Sequence, residues 1–103
     1  ALALGLRRVH LRLADAAQRR RLAVQLAPRC RAAGAGLWVH GDPALAAELG
    51  VGLHWRASQL REPEAIALTH RHRDAGGRVC AAVHDADELA LAASLGVDDL
   101  LLG

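Results

Sequence analysis

Five short apolar runs alternate with Ala- and Leu-rich stretches along the chain. Val9–Leu13 (VHLRL), Gly36–His40 (GLWVH), Val51–Trp55 (VGLHW), Arg78–Val83 (RVCAAV) and Asp99–Leu102 (DLLL) read as strands. Most are near-continuously apolar rather than alternating, as parallel strands covered by helices require. VHLRL is the exception, because Arg12 interrupts it.

The stretches between them carry helix punctuation. Asp15 can cap a helix running to about Ala33, with Pro28 as a break or kink inside it. Asp42 followed by Pro43 signals an N-cap and first turn, and Gly50 closes PALAAEL. Ser58–Asp74 is helical in parts, interrupted at Pro63 and ended by Gly76-Gly77. Asp85 with Glu88 three residues on forms an Asp version of a capping box, and Gly96 ends DELALAASL.

Asp42–Leu53 and Asp85–Leu100 share one plan: acidic cap, Ala/Leu helix, LGV, strand. A strand-then-helix unit of about 20 to 25 residues repeats, which is the βαβ rhythm. Right-handed crossovers then set consecutive strands side by side. The choice lies between an open doubly wound sheet and part of a (β/α)8 TIM barrel. No GxGxxG or GxxxxGK[ST] loop follows any strand, which weakens a nucleotide-binding reading. The fold class expected is therefore α/β, consecutive βα units of a TIM barrel. A closed barrel needs about 200 residues or more, so residues 1–103 read as one incomplete domain, a partial barrel or fragment. The missing initial Met points the same way.

Composition changes this picture little. Just over half the residues are apolar (52%), so a core can form, but it lacks Phe, Tyr and Met and has only Trp38 and Trp55 as large rings. All thirteen basic residues are Arg, and the formal net charge is +2. Arg19–Arg21 and the Arg71, Arg73, Arg78 group have no stacking aromatics nearby, so no nucleic acid partner is expected. Cys30 and Cys80 form no CxxC pair and read as reduced thiols. No apolar run reaches membrane-spanning length, and ALALGL is too short for a signal peptide's apolar region. A cytoplasmic protein with no membrane contact is expected. A homo-oligomer stays open.

The polar strand tips are the candidate chemistry. His40 ends the second strand, His54 nearly ends the third, and His84 follows the fourth, while Arg12 lies near the C-terminal end of the first. In parallel α/β folds the strand C-termini share one face, and that face carries the site. Arg12, His40, His54 and His84 are thus expected on one rim, each next to a helix start offering backbone N–H groups to an anion. An Arg with several His suits a phosphorylated or carboxylated small molecule, and one His near neutral pKa can shuttle a proton. A polar tip that merely satisfies local backbone groups is the competing reading for each. His40, His54 and His84 could instead bind zinc, but they come from separate strands without short ligand spacing, so no metal site is expected. His70 and His72 in THRHRD read as surface, and Cys80, mid-strand, as core. No Ser/His/Asp nucleophile elbow is visible.

These residues resemble the thiamine phosphate synthase/TenI superfamily over nearly the whole chain. VHLRLAD stands where that family has a Q-x-R-x-K strand, and LWVHGDPALAAELGVGLHW where it has an Asn-Asp strand end, a helix and a "GvH" strand. AAVHDADELALAASLGVDDLLLG stands at its "S-x-H-s-x-x-E … gaDy … G" segment, the most specific match. The likeness is greatest to the degenerate domain fused behind a Nudix hydrolase in some bacterial proteins.

The resemblance implies a TIM barrel in thiamine metabolism that binds a thiazole-phosphate-like or pyrimidine-pyrophosphate ligand. It implies His84 as the acid/base of a thiazole tautomerase and matches Arg12 and His54 to substrate-binding positions; with His40 from the strand tips, these are the expected substrate-binding residues. Ala14 stands at the motif lysine, His10 at its glutamine, His40-Gly41 at the Asn-Asp pair, and Gln59 at the second magnesium aspartate. Those departures disfavour synthase chemistry, since pyrophosphate departure needs its charge neutralised. No cofactor is expected; magnesium would be needed only if synthase activity were retained. The alternative from another class is a non-catalytic binding or scaffold domain attached to a Nudix hydrolase.

Overall fold

A computed structural model describes residues 8–102. The N-terminal ALALGL run and Gly103 lie outside the described residues. Five parallel strands pair in chain order: β1 (Arg8–Leu11), β2 (Gly36–His40), β3 (Gly52–Trp55), β4 (Val79–Val83) and β5 (Asp99–Leu102). Between them run α1 (Ala16–Ala33), α2 (Pro43–Leu49), α3 (Ala65–Asp74) and α4 (Ala86–Leu95), with a short 3-10 turn at Ala57–Gln59 before α3. The sheet curls into a half-barrel, an α/β arrangement consistent with part of a TIM barrel. Among the described residues, no helix is long and apolar enough to cross a membrane.

The helix ends follow from a few side chains. Asp15, Asp42 and Asp85 each accept a backbone N–H three residues on, from Gln18 (2.9 Å), Leu45 (3.1 Å) and Glu88 (2.8 Å). Gly34, Gly50 and Gly96 close α1, α2 and α4 in the left-handed region, where a side chain would be strained. Two expectations shift. α1 runs unbroken through Pro28, whose side is exposed while Ala23, Ala27 and Cys30 hold the opposite side in the core. β1 ends at Leu11, so Arg12 follows the strand rather than lying in it.

The core lies between the sheet and the helices. Leu11, Leu37, Val39, Leu53, Trp55, Val79, Ala81 and Val83 face Ala23, Ala27, Leu45, Ala46, Leu60, Ala65, Ala92 and Leu95. Small helix residues let the helices approach closely, so the Leu and Val side chains of the strands fill the gap. Trp55 is the one large ring in this layer, and its Nε1 donates to Thr69 Oγ1 at 2.8 Å. His72, expected at the surface, is buried: with Ala65 and Thr69 it forms the inward stripe of α3. Its Nε2 donates to the Val51 carbonyl at 2.8 Å. His70 is exposed as expected.

Candidate functional site

Alternate residues of the same strands point to the other face, the concave one. Arg8 and His10 of β1, Trp38 and His40 of β2, His54 of β3 and Cys80 of β4 belong to it, and none of them joins the apolar layer beneath the helices. His40 pairs in register with His54, and His54 with Cys80, whereas His10 pairs with Trp38. His10 therefore sits one inward-facing position back from His40 and reaches it diagonally.

The three rings make a compact cluster. His10 Nδ1 lies 2.8 Å from His40 Nε2, a hydrogen bond with one ring donating to the other. His40 and His54 stack with centroids 3.9 Å apart, and His10 meets His54 edge-on at 5.7 Å. One ring nitrogen from each of the three lies within 4.8 Å of the others. Trp38 stacks on the outer side of His10 at 6.0 Å, and its ring lies over Gly52, where a Cβ would come within 2.5 Å. At the inner end, His54 Nδ1 bonds Cys80 Sγ at 2.9 Å.

Burial without an acidic partner keeps these rings neutral. His54 is pulled down to about 4, first by burial and then by His10 and the Arg12 guanidinium. His40 also falls to about 4, through burial first, then His54, His10, Arg12 and Arg56. His10 shifts down too, by burial and by Arg8. Burial, followed by the Asp99 carboxylate, pushes the Cys80 thiol up to about 12, so it is a protonated neighbour rather than a nucleophile.

Arg12, His40 and His54 are thus brought together, as the strand-tip pattern predicts. His84 stands apart from the ring cluster. It follows β4 on the rim, with its side chain 60% exposed, and it pairs with Glu88 rather than with the other rings. Glu88 Oε1 accepts from both the His84 backbone N–H (2.6 Å) and its Nδ1 (3.1 Å). The capping box is shifted by one residue, since Glu88 reaches back to His84 and not to the N-cap Asp85. This fixes the ring by its Nδ1 and leaves Nε2 for a ligand.

The expected helix starts are partly taken up by side chains. Asp15, Asp42 and Asp85 each take one first-turn N–H of α1, α2 and α4, whereas α3 starts without a side-chain cap. Guanidinium groups add positive charge to this rim. Arg56 was not singled out by the sequence pattern, yet its buried Nε is the one such side-chain atom without a hydrogen-bond partner among the described residues. His10 was noted only as a replaced glutamine. Its alternation with Arg12 in VHLRL was the available signal, since polar residues two apart share a strand face. A recess at the strands' opposite ends, lined by Cys30, Gly50 and Gly77, holds no His or carboxylate and so no acid/base chemistry.

The family model described as thiamine monophosphate synthase, of the TMP-TENI group, matches residues 1–103. The chain belongs to this family. No curated protein matches it significantly. In this thiamine monophosphate synthase/TenI chain, the turns after β2 and β3 are tied to one another. Gly41 has φ of +69°, and a Cβ there would lie 3.0 Å from Arg56 Nε. Gln59 Nε2 donates to the Gly41 carbonyl (3.2 Å), and its Oε1 accepts from the Arg56 N–H (3.0 Å). Asp42, the nearest carboxylate, is held by Arg19 Nε at 2.9 Å and by the α2 cap.

Proposed function

We propose that this domain binds a phosphorylated thiazole-like small molecule on the rim of the strand C-termini and isomerises it. His84 is the acid/base, removing a proton from one ligand atom and returning it to another. The observation that carries this is the His84–Glu88 pair in a chain of this family: the carboxylate holds the ring through Nδ1, and Nε2 is the nitrogen left for a ligand. Arg12 supplies positive charge for the phosphate, with His40 and His54 shaping the floor beside it.

Magnesium-dependent synthase chemistry is disfavoured by the donors. Gln59 is tied to Gly41 and Arg56, Asp42 is tied to Arg19, and the Gly41 backbone resists a side chain. A dication there would face the Arg56 guanidinium with no carboxylate to spare, and no step is routed through one. A covalently linked Nudix hydrolase domain and a cytoplasmic setting belong to the same proposal, and the full-length gene product tests the first directly.

The decisive experiment follows thiazole-phosphate tautomer conversion. His84→Ala should lower the rate by about 10²-fold or more. Arg12→Ala should raise KM more than it lowers kcat. An unchanged rate in His84→Ala removes His84 from the mechanism. Calorimetric binding of the thiazole phosphate with no conversion by the native protein would favour the non-catalytic binding domain instead.

A further inference from the structure

We propose that His10, His40 and His54 bind one divalent transition metal of the zinc class, each through one ring nitrogen. The three come from three adjacent strands, and a nitrogen from each already lies within 4.8 Å of the others. Ligand nitrogens around a tetrahedral zinc stand about 3.3 Å apart, given Zn–N bonds of about 2.0–2.1 Å. Small rotations of the His10 and His40 rings, which are not fully buried, close that gap without moving the strands. Imidazole donors suit zinc, copper, nickel and iron and give magnesium nothing it prefers, so this site is distinct in kind from a carboxylate magnesium site.

The surroundings resemble support for a metal ligand more than incidental packing. His54, the buried member, is fixed through Nδ1 by Cys80, which leaves Nε2 as its ligand atom. Trp38 stacks on His10 and limits its ring to few orientations. No carboxylate hydrogen-bonds any of the three rings among the described residues, so the cluster is not held by ion pairing. Three protein ligands leave a tetrahedral ion one position for water, hydroxide or an anion. Arg8 and Arg12 lie near enough to oppose a bare dication, which favours an anionic fourth ligand.

The inference does not depend on the thiazole reading and is tested without any turnover. The full-length protein, free of any polyhistidine tag and stripped with chelator, is titrated with zinc chloride by calorimetry and with cobalt(II) by absorption. One ion per chain is expected, with cobalt bands of a low-coordinate nitrogen–oxygen site and no thiolate charge-transfer band. His10→Gln, an exposed position that should leave the circular dichroism unchanged, should weaken zinc at least tenfold. His70→Gln should bind like the native chain. The proposal is overturned by the absence of stoichiometric binding, or by binding that survives His10→Gln with His40→Gln. A thiolate band would overturn the all-imidazole ligand set.

Discussion

The two faces of the sheet are built from the same strands and could hardly differ more. The face under the helices is Leu, Val, Ala and Trp55, packed without a charged group. The concave face carries Arg8, His10, Trp38, His40, His54 and Cys80, with polar atoms bonded to one another rather than to backbone. Each strand switches between these surroundings at every residue, so GLHW of β3 sends Leu53 and Trp55 one way and His54 the other. The lesson is a division of labour. The helix-covered face supplies the stability that lets the concave face hold neutral, imperfectly partnered imidazoles.

The largest effect should come from the covered face. Trp55→Ala removes its one large ring together with the hydrogen bond to Thr69, and should cost about 3–5 kcal/mol by urea unfolding. A loss below about 1 kcal/mol would mean that this layer does not dominate stability. Gly52→Ala tests whether the concave face has any comparably tight packing. Its new Cβ would meet the Trp38 ring at 2.5 Å, so Trp38 must move, at about 1–3 kcal/mol. The displacement should also change tryptophan fluorescence, whereas relief by a minor shift would leave the spectrum native.

Acid should separate the faces next. His40 and His54 titrate at about 4 in the folded protein against 6.5 when unexposed to the fold. Between those values the unfolded chain binds more protons, so stability rises with pH across the window. It is fully present above about pH 6.5, is lost as pH falls toward about 4, and changes no further from these groups below that. Water reaches the His40 ring, so the combined loss should be about 1–2 kcal/mol rather than the larger value that fully desolvated rings would give. Unfolding in chelating buffer at pH 7.5 and pH 5 measures it. Replacing both rings, as His40→Gln with His54→Gln, should flatten the difference; an undiminished pH dependence would assign it elsewhere.

The covered face was the legible one. Apolar runs located all five strands, Asp located the starts of three helices and Gly the ends of α2 and α4, because these signals are local. Errors arose where a neighbour on another element decides. His72 sits among arginines in sequence, and its burial follows from facing β3 across the α3 stripe. Glu88 spacing announces a capping box, but the rim geometry lets it take His84 instead of Asp85. Strand tips put Arg12, His40 and His54 on one face of the sheet, since parallel strands share a C-terminal face. They could not add His10 to the ring cluster, because the stagger between β1 and β2 sets that contact. Inter-strand register is not written in any single strand.

The smallest effect is the sharpest test of the comparison. His10 lies on the concave face with an exposed side chain, hydrogen-bonded among the described residues to His40 alone and stacked on Trp38. In metal-free buffer at pH 7.5, His10→Gln should change unfolding stability by no more than about 0.5 kcal/mol, as exposed substitutions usually do. Glutamine can still hydrogen-bond the His40 nitrogen, and no covered side chain is disturbed. The same substitution in Trp55's layer would be ruinous, although both positions are two residues from a strand center at most. A loss above about 2 kcal/mol would show that the histidine cluster is itself a structural core, and the division between a stabilising and a chemical face would fail.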